Sequence, residues 1–360
     1  MEHNIRIELV DEANRKPIPR DSASLGFGRH FTDHMFLMNY STEKGWHDPR
    51  IQPHQPLCLD PAATVLHYGQ QVFEGLKAYR AEGGGINLFR YQKNFERMNR
   101  SCKRLQIPAL DVEKAIAGLK ELIRIDQDWI PTDEGCALYV RPTVIGIDPF
   151  LGVRPSSTYL FYILLGPVGA YYPEGFNPIS IYVSDNYVRA VAGGTGEAKT
   201  GGNYAASLVA QKEAQDAGCS QVLWLDARER KYVEEVGTMN IMFRINDELI
   251  TSPLTGSILP GVTRDSVLQL AKEWGVHVSE RLLSIDEVVE AAKDGSLKEI
   301  FGCGTAAIIA PVKQFVYQGE TYQVADGGTG ELSARLYKTI LDIQYGRTAG
   351  PEGWVERIDM

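Results

Sequence analysis

The sequence predicts an α/β (α+β) protein of two domains. Its 360 residues suffice for two domains of ordinary size. Short β-rich runs and amphipathic helical runs are mixed through both halves. Between the halves, Gly166-Pro167-Val168-Gly169-Ala170-Tyr171-Tyr172-Pro173-Glu174-Gly175 is dense in Gly and Pro, the composition of a connection. The expected division is a smaller N-terminal α/β domain over 1–165, a linker over 166–176 and a larger C-terminal domain over 177–360. Sites commonly form between two such domains.

In chain order, residues 36–40 and 85–89 are β-rich. Residues 94–105 and 112–125 carry apolar residues at helical spacing. Residues 137–145 and 157–164 alternate or run apolar like paired strands. Past the Gly/Pro stretch, 179–183 reads as a strand and 204–217 as a helix. Residues 221–225 and 239–244 read as strands, and 263–275 as a helix.

Composition narrows the function. Hydrophobic residues make up 44% and charged residues 23%, as in a globular protein, and the formal net charge is -9. That balance disfavours a general nucleic-acid or anionic-membrane binder. The most apolar run, 159–168, is too short to span a bilayer. The first residues lack a signal-peptide profile. The 5 cysteines are scattered, with no Cys-x-x-Cys pair, which points to a reduced, cytoplasmic setting.

The chemistry-bearing segment is Glu197-Ala198-Lys199-Thr200-Gly201-Gly202-Asn203-Tyr204. Two glycines disfavour a stable helix there, each by about 1 kcal/mol against Ala. Lys199 is therefore expected on a Gly-rich connection between packed elements, where catalytic groups often lie. A lysine that forms a Schiff base needs a neutral amine, produced by desolvation or a nearby positive charge. A second reading stands beside it. Gly193 to Thr200 is one residue short of a phosphate-binding P-loop, with Ala198 where the second glycine belongs. There the lysine opens a continuous helix, which Gly201 and Gly202 would interrupt.

Glu234-Glu235-Val236-Gly237-Thr238-Met239-Asn240 follows. Adjacent acids on a strand face opposite sides, so one could point inward and one to solvent, beside the alternative of two solvated surface acids. Gly237 would allow close backbone approach, and Thr238 offers a short hydroxyl. Leu259-Pro260-Gly261-Val262-Thr263-Arg264 reads as a turn opening a helix, a place for an anion or an ordinary cap. Gly302-Cys303-Gly304-Thr305-Ala306-Ala307 reads as a second small-residue turn, with the same two uses. Arg97 and Arg189 are candidate anion partners. His30 and His34, four apart, have the spacing of a metal pair, but no third ligand is evident, so structural roles and no metal are expected.

These segments resemble those of the branched-chain amino acid aminotransferases. The resemblance also covers Phe27-Gly28-Arg29-His30-Phe31-Thr32-Asp33-His34-Met35, the run from His67-Tyr68-Gly69 through Phe73-Glu74-Gly75 to Tyr79, Tyr139-Val140-Arg141-Pro142 and Phe150-Leu151-Gly152-Val153. It implies a fold-type-IV pyridoxal-phosphate architecture, the C-terminal domain binding the cofactor, and homodimers whose sites take residues from both chains. It implies that Lys199 forms the Schiff base with pyridoxal 5′-phosphate and then shuttles the Cα proton. Glu235 would pair with the pyridine nitrogen, Tyr204 with the ring's phenolic oxygen, and Thr238 would touch the ring. Arg97, the Leu259–Gly261 turn, backbone at Val262 and Thr263, and Thr305 would hold the phosphate, with Arg189 close by. The substrate carboxylate would meet Thr305 and Ala306, with Tyr68 and Arg141 nearby. Phe27, Tyr139 and the partner subunit's Leu151 and Val153 would form the apolar pocket. Ala307 and Ala310 stand where some members carry a redox-sensitive Cys-x-x-Cys.

The implied activity moves the amino group of L-leucine, L-isoleucine or L-valine to 2-oxoglutarate, with amino acids and 2-oxo acids as partners. Other fold-type-IV activities, D-amino acid aminotransferase or aminodeoxychorismate lyase, would share Lys199 and Glu235 and differ in the substrate pocket. A cofactor binder without catalysis is a further alternative.

Overall fold

The computed structural model describes residues 4–169 and 176–358. They divide into two compact units, the first comprising 4–169, 198–201 and 342–358 and the second 176–197 and 202–341.

The first unit contains β1 (Arg6–Ile7), β2 (His34–Ser41), β3 (Gly45–Pro53), β4 (Gln71–Phe73), β5 (Leu76–Arg80), β6 (Ile86–Phe89), β7 (Ala137–Gly146) and β8 (Thr158–Val168). Its sheet runs β1-β3-β2-β8-β7-β5-β6 and is closed at the edge by Val355–Ile358, with β4 also paired to β7. Thus β4 and β5 lie end to end along β7, interrupted at Glu74 and Gly75. Helices α1 (Ser22–Leu25) and α2 (Thr64–Tyr68) are short, whereas α3 (Tyr91–Arg104) and α4 (Val112–Ile125) are long and amphipathic.

Helical spacing puts Phe95, Met98 and Cys102 of α3 on one face and Ala115, Leu119 and Leu122 of α4 on another. All six are buried in one core with Phe36, Val72, Leu138, Val140 and Phe161 of the sheet. Each large apolar side chain contributes about 1.5–3 kcal/mol. Asp111 starts α4 by accepting a hydrogen bond from the Lys114 amide at 3.2 Å. His34 is structural: its Nδ1 meets Asp126 Oδ1 at 2.7 Å, and its Nε2 accepts from the Val10 amide at 2.9 Å. Among the described residues no cluster of three or more His, Cys, Asp or Glu could hold a metal ion. No helix among them is long and apolar enough to cross a membrane.

The second unit contains β9 (Ile179–Ser184), β10 (Gln221–Leu225), β11 (Val233–Val236), β12 (Met239–Ile245), β13 (Glu248–Thr251), β14 (His277–Glu280), β15 (Leu297–Gly304), β16 (Ile308–Tyr317) and β17 (Glu320–Gln323). The order is β11-β10-β9-β16-β15-β12-β13-β14, with β17 beside β16. Because β11 also pairs with β12, the sheet closes on itself. The helices are α5 (Gly201–Ala205), α6 (Leu208–Asp216), α7 (Val262–Glu273), α8 (Ile285–Asp294) and α9 (Glu331–Tyr345).

The structure differs from the sequence division. Residues 166–168 of the expected linker are the end of β8, paired with 137–139 of β7. Residues 170–175 lie outside the described residues. Residues 198–201 and the C-terminal segment from 342 belong to the first unit, the latter because Val355–Ile358 pairs with β6. A contiguous cut cannot anticipate a strand that returns across the whole chain.

The five cysteines are free; Cys58 is exposed, and Cys102, Cys136, Cys219 and Cys303 are buried. Burial pushes the Cys102 and Cys303 thiols up to about 12. Brief treatment of the native protein with a thiol reagent is therefore expected to modify Cys58 and spare the other four until unfolding, as read by mass spectrometry. Rapid labelling of Cys303 in folded protein would contradict this.

Candidate active site

The first unit holds Lys199 by its backbone. The Lys199 amide donates to Ser101 Oγ on α3 at 2.9 Å, and its carbonyl accepts from the Phe73 amide at 3.0 Å. The next hydroxyl, Thr200 Oγ1, donates to the Gln71 carbonyl at 2.7 Å. These bonds fasten the segment to β4 and α3. The Lys199 Nζ lies 4.9 Å from the centre of the Phe73 ring. The sequence expected a helix only from Tyr204. Instead α5 begins at Gly201, directly after Thr200, and a break precedes α6 at Leu208. Tertiary bonding to β4 overrides the poor helix propensity of the glycines.

Around the same Phe73 ring stand the expected substrate groups. The Arg141 guanidinium lies 4.8 Å above it and 5.2 Å from the Tyr139 ring. Arg141 donates to the Tyr139 hydroxyl at 3.0 Å, and Phe27 meets Tyr139 edge-on at 4.8 Å. Tyr139 and Arg141 are two apart on β7, so they share a face. Gly75 makes room, since a Cβ there would stand 2.1 Å from the Tyr139 hydroxyl. Elsewhere in this unit, Tyr68 donates to the Leu151 carbonyl, with Leu151 62% and Val153 87% exposed.

Arg97 is buried against Glu74. Its Nε donates to Oε1 at 2.7 Å and its Nη2 to Oε2 at 2.8 Å. Asn94 and the Gly75 amide donate to Oε2 at 3.0 and 3.1 Å. Burial alone pushes the Glu74 carboxyl up. The Arg97 charge and hydrogen bond, the Lys199 charge and the Asn94 amide reverse this and hold it below the usual carboxylate range.

The second unit presents a cavity lined by Arg189, Asn203, Tyr204, Ser207, Glu235, Gly237, Thr238 and Leu259. Glu235 lies on β11 opposite Asn240 of β12, across a two-residue hairpin turn at Gly237 and Thr238. Gly237 has φ 56, and Gln221 Oε1 would be 1.9 Å from any Cβ there. The glycine thus serves the turn itself. Asn240 Nδ2 donates to Glu235 Oε1 and to the Leu259 carbonyl, both at 2.9 Å. Arg189 Nε stands 2.5 Å from Glu235 Oε2, an ion pair set off the hydrogen-bond line. Its Nη2 donates to the Gly196 carbonyl at 3.0 Å and to the Ser257 carbonyl.

Two expectations change here. Arg189, expected close to the phosphate, also carries an ion pair to Glu235. Glu234 was expected in solvent if Glu235 turned inward, yet both are buried, with Ser257 beside Glu234 and Arg189 and Asn240 beside Glu235. Glu234 accepts from the Ser257 hydroxyl. Burial pushes its carboxyl up, against that bond and the Arg189 charge. Finally, Gly302 and Gly304 lie in β15, and the turn begins at Thr305 and includes Ala306. Gly261, Val262 and Thr263 do open α7, with Gly261 as its N-cap, but they do not line the cavity.

Residue-by-residue reading missed Phe73, Glu74, Ser101 and Asn240. Three of these sat inside quoted motifs without a role. Ser101 carried no signal, since a helix serine is unremarkable until the chain returns to it.

The amino-transferase class IV family model matches residues 71–315. The chain belongs to that family. This class IV aminotransferase is 56% identical over 354 residues to branched-chain-amino-acid aminotransferase 2 of Bacillus subtilis (strain 168), covering 98% of this chain and 97% of the relative. It is 53% identical over 339 residues to branched-chain-amino-acid transaminase 1 of the same strain, covering 94% of this chain and 95% of that relative. Its fold matches the Escherichia coli branched-chain amino acid aminotransferase with a TM-score of 0.75 at 27% identity, over 91% of this chain and 99% of that one. The expected family is therefore met, and the P-loop reading falls.

Proposed function

We propose that this chain is a pyridoxal-phosphate-dependent branched-chain-amino-acid transaminase. It moves the amino group of L-leucine, L-isoleucine or L-valine reversibly to 2-oxoglutarate, in a ping-pong cycle, as a cytoplasmic homodimer. The carrying observation is the second-unit cavity, whose lining brings together a buried carboxylate, Glu235, with Tyr204 and Thr238. That donor set fits an aromatic nitrogen heterocycle with a phenolic oxygen.

The bound cofactor would supply an electron sink for the charge left on the substrate Cα. Lys199 would attach it covalently through Nζ. The same nitrogen, when free, would accept the substrate Cα proton and later return it. Glu235, oriented by Asn240 and Arg189, would hold the proton on the ring nitrogen, and Tyr204 would donate to the phenolic oxygen. Arg97, the α7 amides at Val262 and Thr263 with the Leu259–Gly261 turn, and Thr305 would take the phosphate. Thr305 and Ala306 would meet the substrate carboxylate. Phe27, Tyr139 and the partner subunit's Leu151 and Val153 would enclose an apolar side chain, with Tyr68 at its margin. The high exposure of Leu151 and Val153 supports their use by a second copy.

An absorbance spectrum of the purified protein, taken before and after L-leucine, tests this. A visible band of bound cofactor that leucine converts is expected. A band indifferent to leucine would redirect the reading to another fold-type-IV substrate or a silent binder, and no band after added pyridoxal phosphate would overturn the cofactor.

Arg141 should separate the two substrates. Its guanidinium stands over apolar rings, where a glutamate side-chain carboxylate would find a cation and leucine would find only packing. Arg141→Ala is expected to lower kcat/KM for glutamate by about tenfold or more, with a smaller loss for leucine. Equal losses in steady-state assays would reject this role.

A further inference from the structure

Glu74 belongs to the same machinery, though no expectation assigned it a role. Its carboxylate sits in the gap between β4 and β5, one residue after Phe73, over whose ring Lys199 lies. Both oxygens are engaged by fixed donors: Arg97 Nε and Nη2, Asn94 Nδ2 and the Gly75 amide. Asn94, Arg97 and Ser101 occur at helical spacing on α3, so one buried face grips Glu74 and, through Ser101, the Lys199 amide. A carboxylate so enclosed is tolerable only when paired.

We propose that Glu74 is a positioning residue for the transamination: it fixes the Arg97 guanidinium and sets the balance of charge around the Lys199 nitrogen. The inference rests on the function proposed above. Charged and titratable groups surround this centre from several elements: Glu74 beside β4 feels the Lys199 charge, Arg97 from α3 is bonded to Glu74, and Arg141 of β7, bonded to the Tyr139 hydroxyl, shares the Phe73 ring with Lys199. With Glu74 ionised, the Arg97 charge is offset. With Glu74 neutral, Arg97 and Arg141 act unopposed, and a proton on the lysine nitrogen is disfavoured.

The test compares wild-type, Glu74→Gln and Asn94→Ala holoenzymes by the pH titration of the visible band and by the dissociation constant for pyridoxal phosphate, with melting temperatures confirming the fold. Glu74→Gln is expected to move the midpoint of the band to lower pH by about one unit or more, and to weaken the cofactor severalfold. Asn94→Ala keeps the charge. It is expected to leave the midpoint near wild type and weaken the cofactor, because Glu74 loses a side-chain clamp. A folded Glu74→Gln protein with unmoved midpoint and affinity overturns the inference while the wild-type response to leucine stands. If Glu74→Gln does not fold, unchanged cofactor affinity in Asn94→Ala overturns it. A wild-type protein without any band overturns both this inference and the function beneath it.

Discussion

Lys199→Ala is expected to lower kcat by at least about a hundred- to ten-thousandfold, the range spanned by loss of a positioned acid–base group. Loss of the covalent attachment adds to that. The fold should survive. The Lys199 segment is fastened by its amide to Ser101, its carbonyl to the Phe73 amide and the Thr200 hydroxyl to Gln71, none of which needs the lysine side chain. The losses include the contact of Nζ with the Phe73 ring, about 0.5–1 kcal/mol at an exposed site, and the lysine charge felt by Glu74. Turnover assays beside thermal melts separate the two effects. A variant that melts like wild type and turns over like it would remove Lys199 from the reaction. One that is inactive because it is unfolded would show that the backbone bonds do not suffice to hold the segment.

Glu299→Ala should produce the largest stability loss far from the chemistry. Glu299 is buried on β15 and accepts from the Leu332 amide at 3.0 Å, the Ser333 amide at 2.9 Å and the Ser333 hydroxyl at 2.6 Å, in the first turn of α9. Arg244 pairs with it at 3.1 Å. The carboxylate therefore satisfies helix-start amides and a cation together. Removing it leaves both without their acceptor, at about 3–5 kcal/mol, the range for breaking a buried ion pair. Glu299→Gln retains one acceptor and should lose less, about 1–3 kcal/mol. Urea denaturation monitored by fluorescence measures both. A midpoint unchanged in Glu299→Ala would mean that water or another group caps α9 equally well. Turnover at room temperature is expected to change little in either variant.

Local pattern was a good guide wherever one element supplies its own reason. The helix expected over 112–125 is Val112–Ile125, and the strand expected over 221–225 is Gln221–Leu225. In α4 the apolar face and the Asp111 cap both lie within the segment. The segments carrying Lys199 and Glu235 were conspicuous through their local context, Gly201-Gly202-Asn203-Tyr204 after the lysine and Val236-Gly237-Thr238-Met239-Asn240 after the acids. The Lys199 helix start was misplaced because the bonds that set it come from β4, more than a hundred residues earlier.

The sequence alone determined which residue types this aminotransferase has for its chemistry: a lysine on a Gly-rich segment, a carboxylate shortly before a glycine and candidate arginines. Tertiary structure decided how they are partnered. It gave Arg189 to Glu235 and Arg97 to Glu74, buried Glu234 against Ser257, and returned the last strand to the first unit. Spacing along a chain fixes which side chains share a face of one element. Which charge meets which depends on pairings between distant strands and helices, and burial makes those pairings obligatory, since an unpaired charge away from water costs more than the fold can supply.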